Sequence, residues 1–298
     1  MKVVNLLHNP SAGHEDHSAD VLVSLLEANG FECEYSSMDK KAWKKMQEEV
    51  DFIVAAGGDG TVRKITKRLL DRKLSEKTWP IGLLPLGTAN NIAQTLEING
   101  GTEEIIQSWH HPQVKNFDVG RIHGLPGVTF FLESFGYGIF PFLVRKMKKA
   151  EKAIATPETE MKVALQILHD IIFSYDPKYC ELKVDGQDHS GKFLLAEIMN
   201  TRLMGPNLFL SPHGDPGDGQ FEVILIPEED KGKLASYVAE KINGVDIPYT
   251  FRQLKGKDIE ISWEGTHVHA DDEIIKIEKN EKVKIELREG LLKFLVPN

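Results

Sequence analysis

Gly57-Gly58-Asp59-Gly60-Thr61 is the segment of this chain best suited to chemistry. It follows the continuous apolar run Phe52-Ile53-Val54-Ala55-Ala56 and precedes a basic helical pattern. Three glycines let the backbone come close to a ligand and turn its N–H groups toward an anion. The start of the following helix adds the positive end of its dipole. A valine at Gly58 would block that approach and resist the positive φ expected there. Asp59 makes a poor direct phosphate ligand, but its carboxylate suits a Mg²⁺ ion or a ribose hydroxyl. Two more loops of small polar residues, Asn9-Pro10-Ser11-Ala12-Gly13 and Gly87-Thr88-Ala89-Asn90-Asn91, also follow apolar runs. One such loop is a turn; three at successive strand ends can converge on the phosphates of one nucleotide.

The remaining chemistry-bearing residues are more scattered. His267 and His269 alternate on a strand near Asp271, but two histidines without a clear third ligand read as a polar strand face. His110-His111 reads as a helix end. Cys33 and Cys180, the chain's two cysteines, are far apart and lack a CxxC partner, which fits reduced thiols rather than a zinc knuckle or a disulfide. Phe140, Phe142, Leu143 and Val144 precede Arg145, Lys146, Lys148, Lys149 and Lys152. A basic, partly apolar helix of this kind could rest on anionic lipid, and a solvated helix covering the second domain fits the same pattern.

These loops need elements to hold them. Val3–Leu7 is a short apolar strand, and Val21, Leu22, Leu25 and Leu26 follow at helical spacing, closed by Asn29-Gly30. Phe31–Tyr35 alternates like a strand, Trp43–Glu49 reads as a polar helix, and the apolar runs at residues 52–56 and 81–84 suit strands covered on both faces. Alternating strands and helices predict a parallel sheet whose ligand crevice lies beyond the strands' carboxyl ends. Near Asp118 the pattern turns strand-rich, with runs at 128–132, 179–184, 192–199, 221–226, 259–262, 273–277 and 283–287. One helical insert lies between Phe140 and Ser174, divided at Pro157. The expected domains are 1–118, nucleotide-binding α/β, and 119–289, a β-sandwich that handles the acceptor substrate, with 290–298 able to return to the first.

A length of 298 residues fits two domains. With 41% hydrophobic and 27% charged residues, the composition excludes disorder, a collagen-like repeat and a small disulfide-stapled scaffold. A net charge of −9 gives no overall basic field for nucleic acid, so no nucleic-acid partner is expected. No 18-residue apolar stretch occurs, and the first apolar run is too short for a secretory signal, so a cytoplasmic location is expected.

NPSAG, GGDGT and PLGTANNIAQTL, in this order and spacing, resemble the diacylglycerol kinase catalytic family, which includes bacterial lipid kinases and sphingosine kinases. The likeness continues through Phe117-Asp118-Val119-Gly120, Asp218-Gly219-Gln220-Phe221-Glu222-Val223, Asp271-Asp272-Glu273 and Phe294-Leu295-Val296-Pro297. It implies an α/β domain like those of NAD kinase and phosphofructokinase that binds ATP, followed by a β-sandwich that helps form the acceptor cleft. It implies that Asn9, Ser11, Gly57, Gly58, Gly60, Thr61 and Thr88 hold the nucleotide. Asp59 would manage metal and phosphates, with Asp118 and Asp218 as further Mg²⁺ ligands, and Glu273 would take the proton of the acceptor hydroxyl. ATP, Mg²⁺ and a lipid-like acceptor are the implied ligands, with peripheral membrane contact and a homodimer among the expected partnerships. The chain departs from the family at Arg63-Lys64, where Asn-Glu is usual, at Asn91 in place of Asp, and at Asp272 in place of Gly. Arg63 and Lys64 would add cationic phosphate contacts if they face the site. A nucleotide-binding module with little turnover and a NAD-kinase-like enzyme are the alternatives, the second opposed by the PLGTANN form of the third loop.

Overall fold

The computed structural model describes the whole chain except residues 13–16, 45–48, 72–78, 151–155 and 246–248. Gly13 of the first loop and Lys152 of the basic segment therefore lie outside the described residues. The chain divides into two compact units, Met1–Phe117 with Gly290–Asn298, and Asp118–Glu289.

The first unit runs β1 (Lys2–His8), α1 (Ala19–Ala28), β2 (Phe31–Ser37), β3 (Phe52–Gly57), α2 (Asp59–Asp71), β4 (Ile81–Pro85), α3 (Asn91–Thr95) and α4 (Thr102–Ser108), and then enters β5 (Gln113–His123). Its strands are parallel in the order β2, β1, β3, β4, and residues 294–295 of the last strand pair beside β4. Val54, Ala55, Ala56, Leu83 and Leu84 are buried, as expected of strands covered on both faces. Ser18 caps α1 by accepting the Val21 N–H, and Gly30 closes it at φ +78°. A Cβ on Gly82 would lie 2.8 Å from the Trp109 ring, so glycine here lets the tryptophan pack on the strand. Of the expected helix at Trp43–Glu49, residues 45–48 lie outside the described residues, and Trp43 and Lys44 sit in a short 3₁₀ turn, Lys41–Lys44. His110 and His111 follow the end of α4, as the sequence predicts.

The second unit is antiparallel. It comprises β6 (Phe130–Phe131), β7 (Ser134–Gly138), α5 (Ile139–Ala150), α6 (Pro157–Ser174), β8 (Lys178–Val184), β9 (Gln187–Asp188), β10 (Gly191–Met199), β11 (Leu203–Met204), β12 (Leu208–Phe209), β13 (Phe221–Pro227), α7 (Lys231–Ile242), β14 (Arg252–Gly256), β15 (Asp258–Trp263), β16 (His267–Ala270), β17 (Glu273–Lys276) and the part of β18 (Val283–Val296) up to Glu289. Pro157 opens α6 at its first turn, where its missing N–H costs nothing. Side chains from β7, β8, β10, β13, β15, β16 and β18 share one apolar core. A second core forms where α5, α6 and α7 cover the other face of β10 and β13. That double covering explains why β13 reads FEVILIP: Val223 and Leu225 enter one core, Ile224 and Ile226 the other. Helix α7 is not apparent in the sequence pattern at 231–242. The terminal strand runs on to Val296, and its residues Phe294 and Leu295 pair in parallel with Ile81 and Gly82 of β4.

Candidate active site

β1, β3 and β4 are adjacent and parallel, so the loops that follow them leave the sheet on the same side. The Asn9 N–H donates to the Ala56 carbonyl at 3.0 Å, and its side-chain amide donates to Thr61 Oγ1 at 3.0 Å. Asn9 Oδ1 in turn receives the Ser11 N–H and hydroxyl. The first loop is thereby tied to the second. A Cβ on Gly57 would fall 2.3 Å from Thr61 Oγ1, so glycine makes room for the buried threonine at the start of α2.

The second and third loops touch backbone to backbone. A Cβ on Gly58 would lie 2.9 Å from Gly87 Cα, and one on Gly87 would lie 2.4 Å from Gly58 Cα. This corrects the reason for glycine at 58: it is not among the residues with positive φ, and what excludes a side chain is the neighbouring loop. Asn90 takes the left-handed conformation, φ 51°, and folds the third loop on itself. Its Oδ1 accepts the Gly87 N–H at 2.9 Å while its amide donates to the Gly87 carbonyl at 2.7 Å. No role for Asn90 was foreseen from the sequence, although asparagine's tolerance of this conformation was the available signal.

Asp59, the first residue of α2, joins the two loops. Its Oδ2 accepts the Asn91 N–H at 2.9 Å and its Oδ1 the Ile92 N–H at 3.0 Å, capping the short helix α3 from 32 residues away. Arg63 is buried and Lys64 exposed, so the two neighbouring cations do not share an environment. Asn91 is buried at the start of α3, and Thr88 is half-buried in the same loop.

The remaining expected residues lie in the second unit. Asp118 is buried; its carbonyl accepts from Asn200 Nδ2 and its Oδ2 from the Gly219 N–H, each at 2.9 Å. Asp218 accepts the Gln220 N–H at 3.0 Å and pairs with Lys255 at 3.1 Å. Both carboxylates thus brace the segment Asp215–Gln220. Lys255 also reaches the buried Glu222 at 3.2 Å; burial pushes that carboxyl up to about 6 despite the lysine's opposing pull. Glu273 is exposed at the first position of β17. Asp271, two residues earlier, accepts the N–H groups of Leu132, Glu133 and Ser134 within 3.3 Å. His269, expected on a polar face, is fully buried, whereas His267 is half-buried.

Among the described residues no group of three or more His, Cys, Asp or Glu side chains is placed to hold a metal ion. A Mg²⁺ ion arriving with a nucleotide fits the first unit all the same. That ion keeps most of its waters and binds through one or two carboxylates plus phosphate oxygens, and Asp59 is the carboxylate at the loops.

Comparison with known proteins gives the same two-part division. Residues 3–122 match the diacylglycerol kinase catalytic domain, and residues 145–289 match the YegS C-terminal NAD kinase beta sandwich-like domain. A diacylglycerol kinase of Bacillus subtilis (strain 168) is 25% identical over 274 residues, 84% of each chain. One from Staphylococcus aureus (strain MRSA252) is 24% identical over 246 residues, 78% of this chain and 73% of the relative. Among solved structures, a diacylglycerol kinase from Bacillus anthracis str. Sterne superposes with a TM-score of 0.74 at 20% identity, covering 100% of this chain and 97% of that one. Yeast NADH kinase complexed with NADH shares the fold more distantly, with a TM-score of 0.51 at 8% identity, covering 100% and 84%. With the parallel first unit, the β-rich second unit and these matches in hand, the chain belongs to the family that joins a diacylglycerol kinase catalytic domain to a NAD kinase-like β-sandwich.

Proposed function

We propose that the protein is an ATP-dependent lipid kinase that moves the γ-phosphoryl group to a hydroxyl of a lipid-like acceptor such as diacylglycerol. The observation that carries this reading is the interlocked trio of loops after β1, β3 and β4, with Asp59 tying two of them together. Asn9, Ser11, Gly57, Gly58, Gly60, Thr61 and Thr88 hold the nucleotide, and the first turn of α2 faces its phosphates with backbone N–H groups. Arg63 and Lys64 are candidate further cations for the same charge. Asp59 would hold Mg²⁺, with Asp118 and Asp218 as the further proposed ligands, and the ion would neutralise charge on the phosphates. Glu273 accepts the proton of the acceptor hydroxyl; the hydroxyl oxygen bonds to the γ-phosphorus as the bond to the β–γ bridging oxygen breaks, and ADP leaves. Phosphoryl transfer depends mainly on positioning and charge stabilisation, so a carboxylate that orients the nucleophile suffices. Asp271 is less suited to the role because three backbone N–H groups already bond to its carboxylate.

Glu273→Gln is expected to keep ATP affinity in calorimetry and to lower kcat by roughly 10²–10⁴, the usual loss for a general base. The readout is transfer of radiolabel from ATP across a panel of lipids, which also identifies the acceptor. Turnover within a few-fold of wild type would make Glu273 an ordinary strand carboxylate. Lys64 and Asn91 favour a second reading, nucleotide binding with little turnover; ATP binding without transfer to any lipid in the panel would support it.

A further inference from the structure

The second unit contains a buried histidine–carboxylate pair that the proposed reaction leaves unused. Glu197, Gly136 and His269 stand side by side at one register on the neighbouring strands β10, β7 and β16. Glu197 and His269 are both 0% exposed, and their side chains meet across the glycine, with His269 Nε2 2.8 Å from Glu197 Oε1. A Cβ on Gly136 would sit 2.1 Å from Glu197 Oε2, so any other residue there would part them. The opposite ring nitrogen, Nδ1, lies 2.9 Å from the Asp271 carbonyl oxygen. A carbonyl only accepts, so Nδ1 carries a proton and donates it. Burial opposes charge on the ring, but Glu197's charge and hydrogen bond, aided by Asp271, raise its pKa above the ordinary histidine value. The Phe140 ring closes over the histidine with centroids 4.7 Å apart.

Asp271 stands at φ 54°, a left-handed conformation unusual for a residue with a side chain. It is gripped twice. His269 holds its carbonyl, and the N–H groups of Leu132, Glu133 and Ser134 hold its carboxylate. The next two residues are Asp272 and Glu273.

We propose that His269 is a positioning residue for Glu273, with Nδ1–H pinning the Asp271 carbonyl and Glu197 accepting Nε2–H and so fixing the ring's orientation. The proposal rests on the reading of Glu273 as proton acceptor. Second-layer hydrogen bonds to the far nitrogen commonly fix the orientation of an imidazole.

The test compares two substitutions that each keep half of the histidine. Asparagine places its amide nitrogen near the position of Nδ1, and glutamine places its own near Nε2. His269→Asn is expected to keep kcat within about threefold, whereas His269→Gln lowers it about 10²-fold with the KM for ATP unchanged, the loss typical of a misplaced reacting group. Equal losses in both variants, or a lowered Tm with unchanged kcat in both, overturn the proposal. Should His269→Gln fail to fold, Glu197 decides. Glu197→Gln still bonds Nε2, now as a donor, and keeps the proton on Nδ1, so kcat should survive; Glu197→Met should lose it. A loss in Glu197→Gln as large as in Glu273→Gln overturns the proposal. If Glu273→Gln itself retains turnover, the proton-acceptor reading fails separately. Hydrogen exchange at residues 271–273 then judges the anchoring, with faster exchange in His269→Gln than in His269→Asn supporting it and equal rates overturning it.

Discussion

Glu222 is a carboxylate in a place that water does not reach, beside a single lysine. Burial raises it from its ordinary 4.5 to about 6, so between those values the folded chain holds a proton that the unfolded chain has released. Stability therefore falls as pH rises from about 4.5 through 6, by about 2 kcal/mol in all. Glu222→Gln is expected to remove that slope and to be more stable at pH 8, with Lys255 still paired to Asp218. Urea midpoints of both proteins at pH 4.5 and pH 8 check it, and parallel slopes would contradict it. Gly58 makes the opposite kind of demand, for absence of atoms. A valine there pushes against the Gly87 backbone, a clash worth about 1–3 kcal/mol, and opens the loop pair. Gly58→Val is expected to remain folded and to lose ATP binding in calorimetry; unchanged affinity would remove the loop pair from the nucleotide site.

At the scale of elements, Asp59 works as a cap on α3 whatever else it binds. In Asp59→Asn one oxygen becomes a donor facing a donor N–H, so one of the two bonds to α3 is lost. The expected cost is about 1–2 kcal/mol in urea denaturation, with weaker ATP binding as the third loop loosens. Unaltered stability would show that the cap contributes little. This arrangement marks where sequence reading stops. The βα alternation was legible because apolar runs end at glycines, and the three loops stood out by composition. The bonds that join them link residues 32 and 52 positions apart, and the Glu197–His269 pair spans 72, separations that no local pattern records. Helix α7 escaped notice because its buried Leu234, Ala235, Tyr237 and Val238 make up barely one turn set among lysines and a glutamate. Glu273 was identified through its motif alone, and its neighbour Asp271 reveals its clamp only once Leu132–Ser134 are seen beside it.

At the scale of the molecule, a net charge of −9 coexists with a basic stretch on α5. Phe142, Arg145, Lys146, Lys148 and Lys149 are exposed on it, and Phe173 on α6 is 60% exposed. Among the described residues no helix is long and apolar enough to cross a membrane. Weak, salt-sensitive attachment to anionic vesicles is expected, since each lysine near such a surface adds on the order of 1 kcal/mol while the net charge opposes approach. Sedimentation with vesicles at low and high salt, repeated with Lys146→Glu and Lys149→Glu, checks it; no binding at low salt makes the helix purely structural. The closing strand has a consequence for how the protein is made. Phe294, which pairs with Ile81 and packs on Phe117, leaves the ribosome roughly 170 residues after the rest of its unit. At about 5–20 residues per second, β4, made about 210 residues before Phe294, waits about 10–40 s with one flank unpaired. Throughout that interval the nascent first unit is an open sheet that any stray strand could extend, until residues 294–295 pair beside β4.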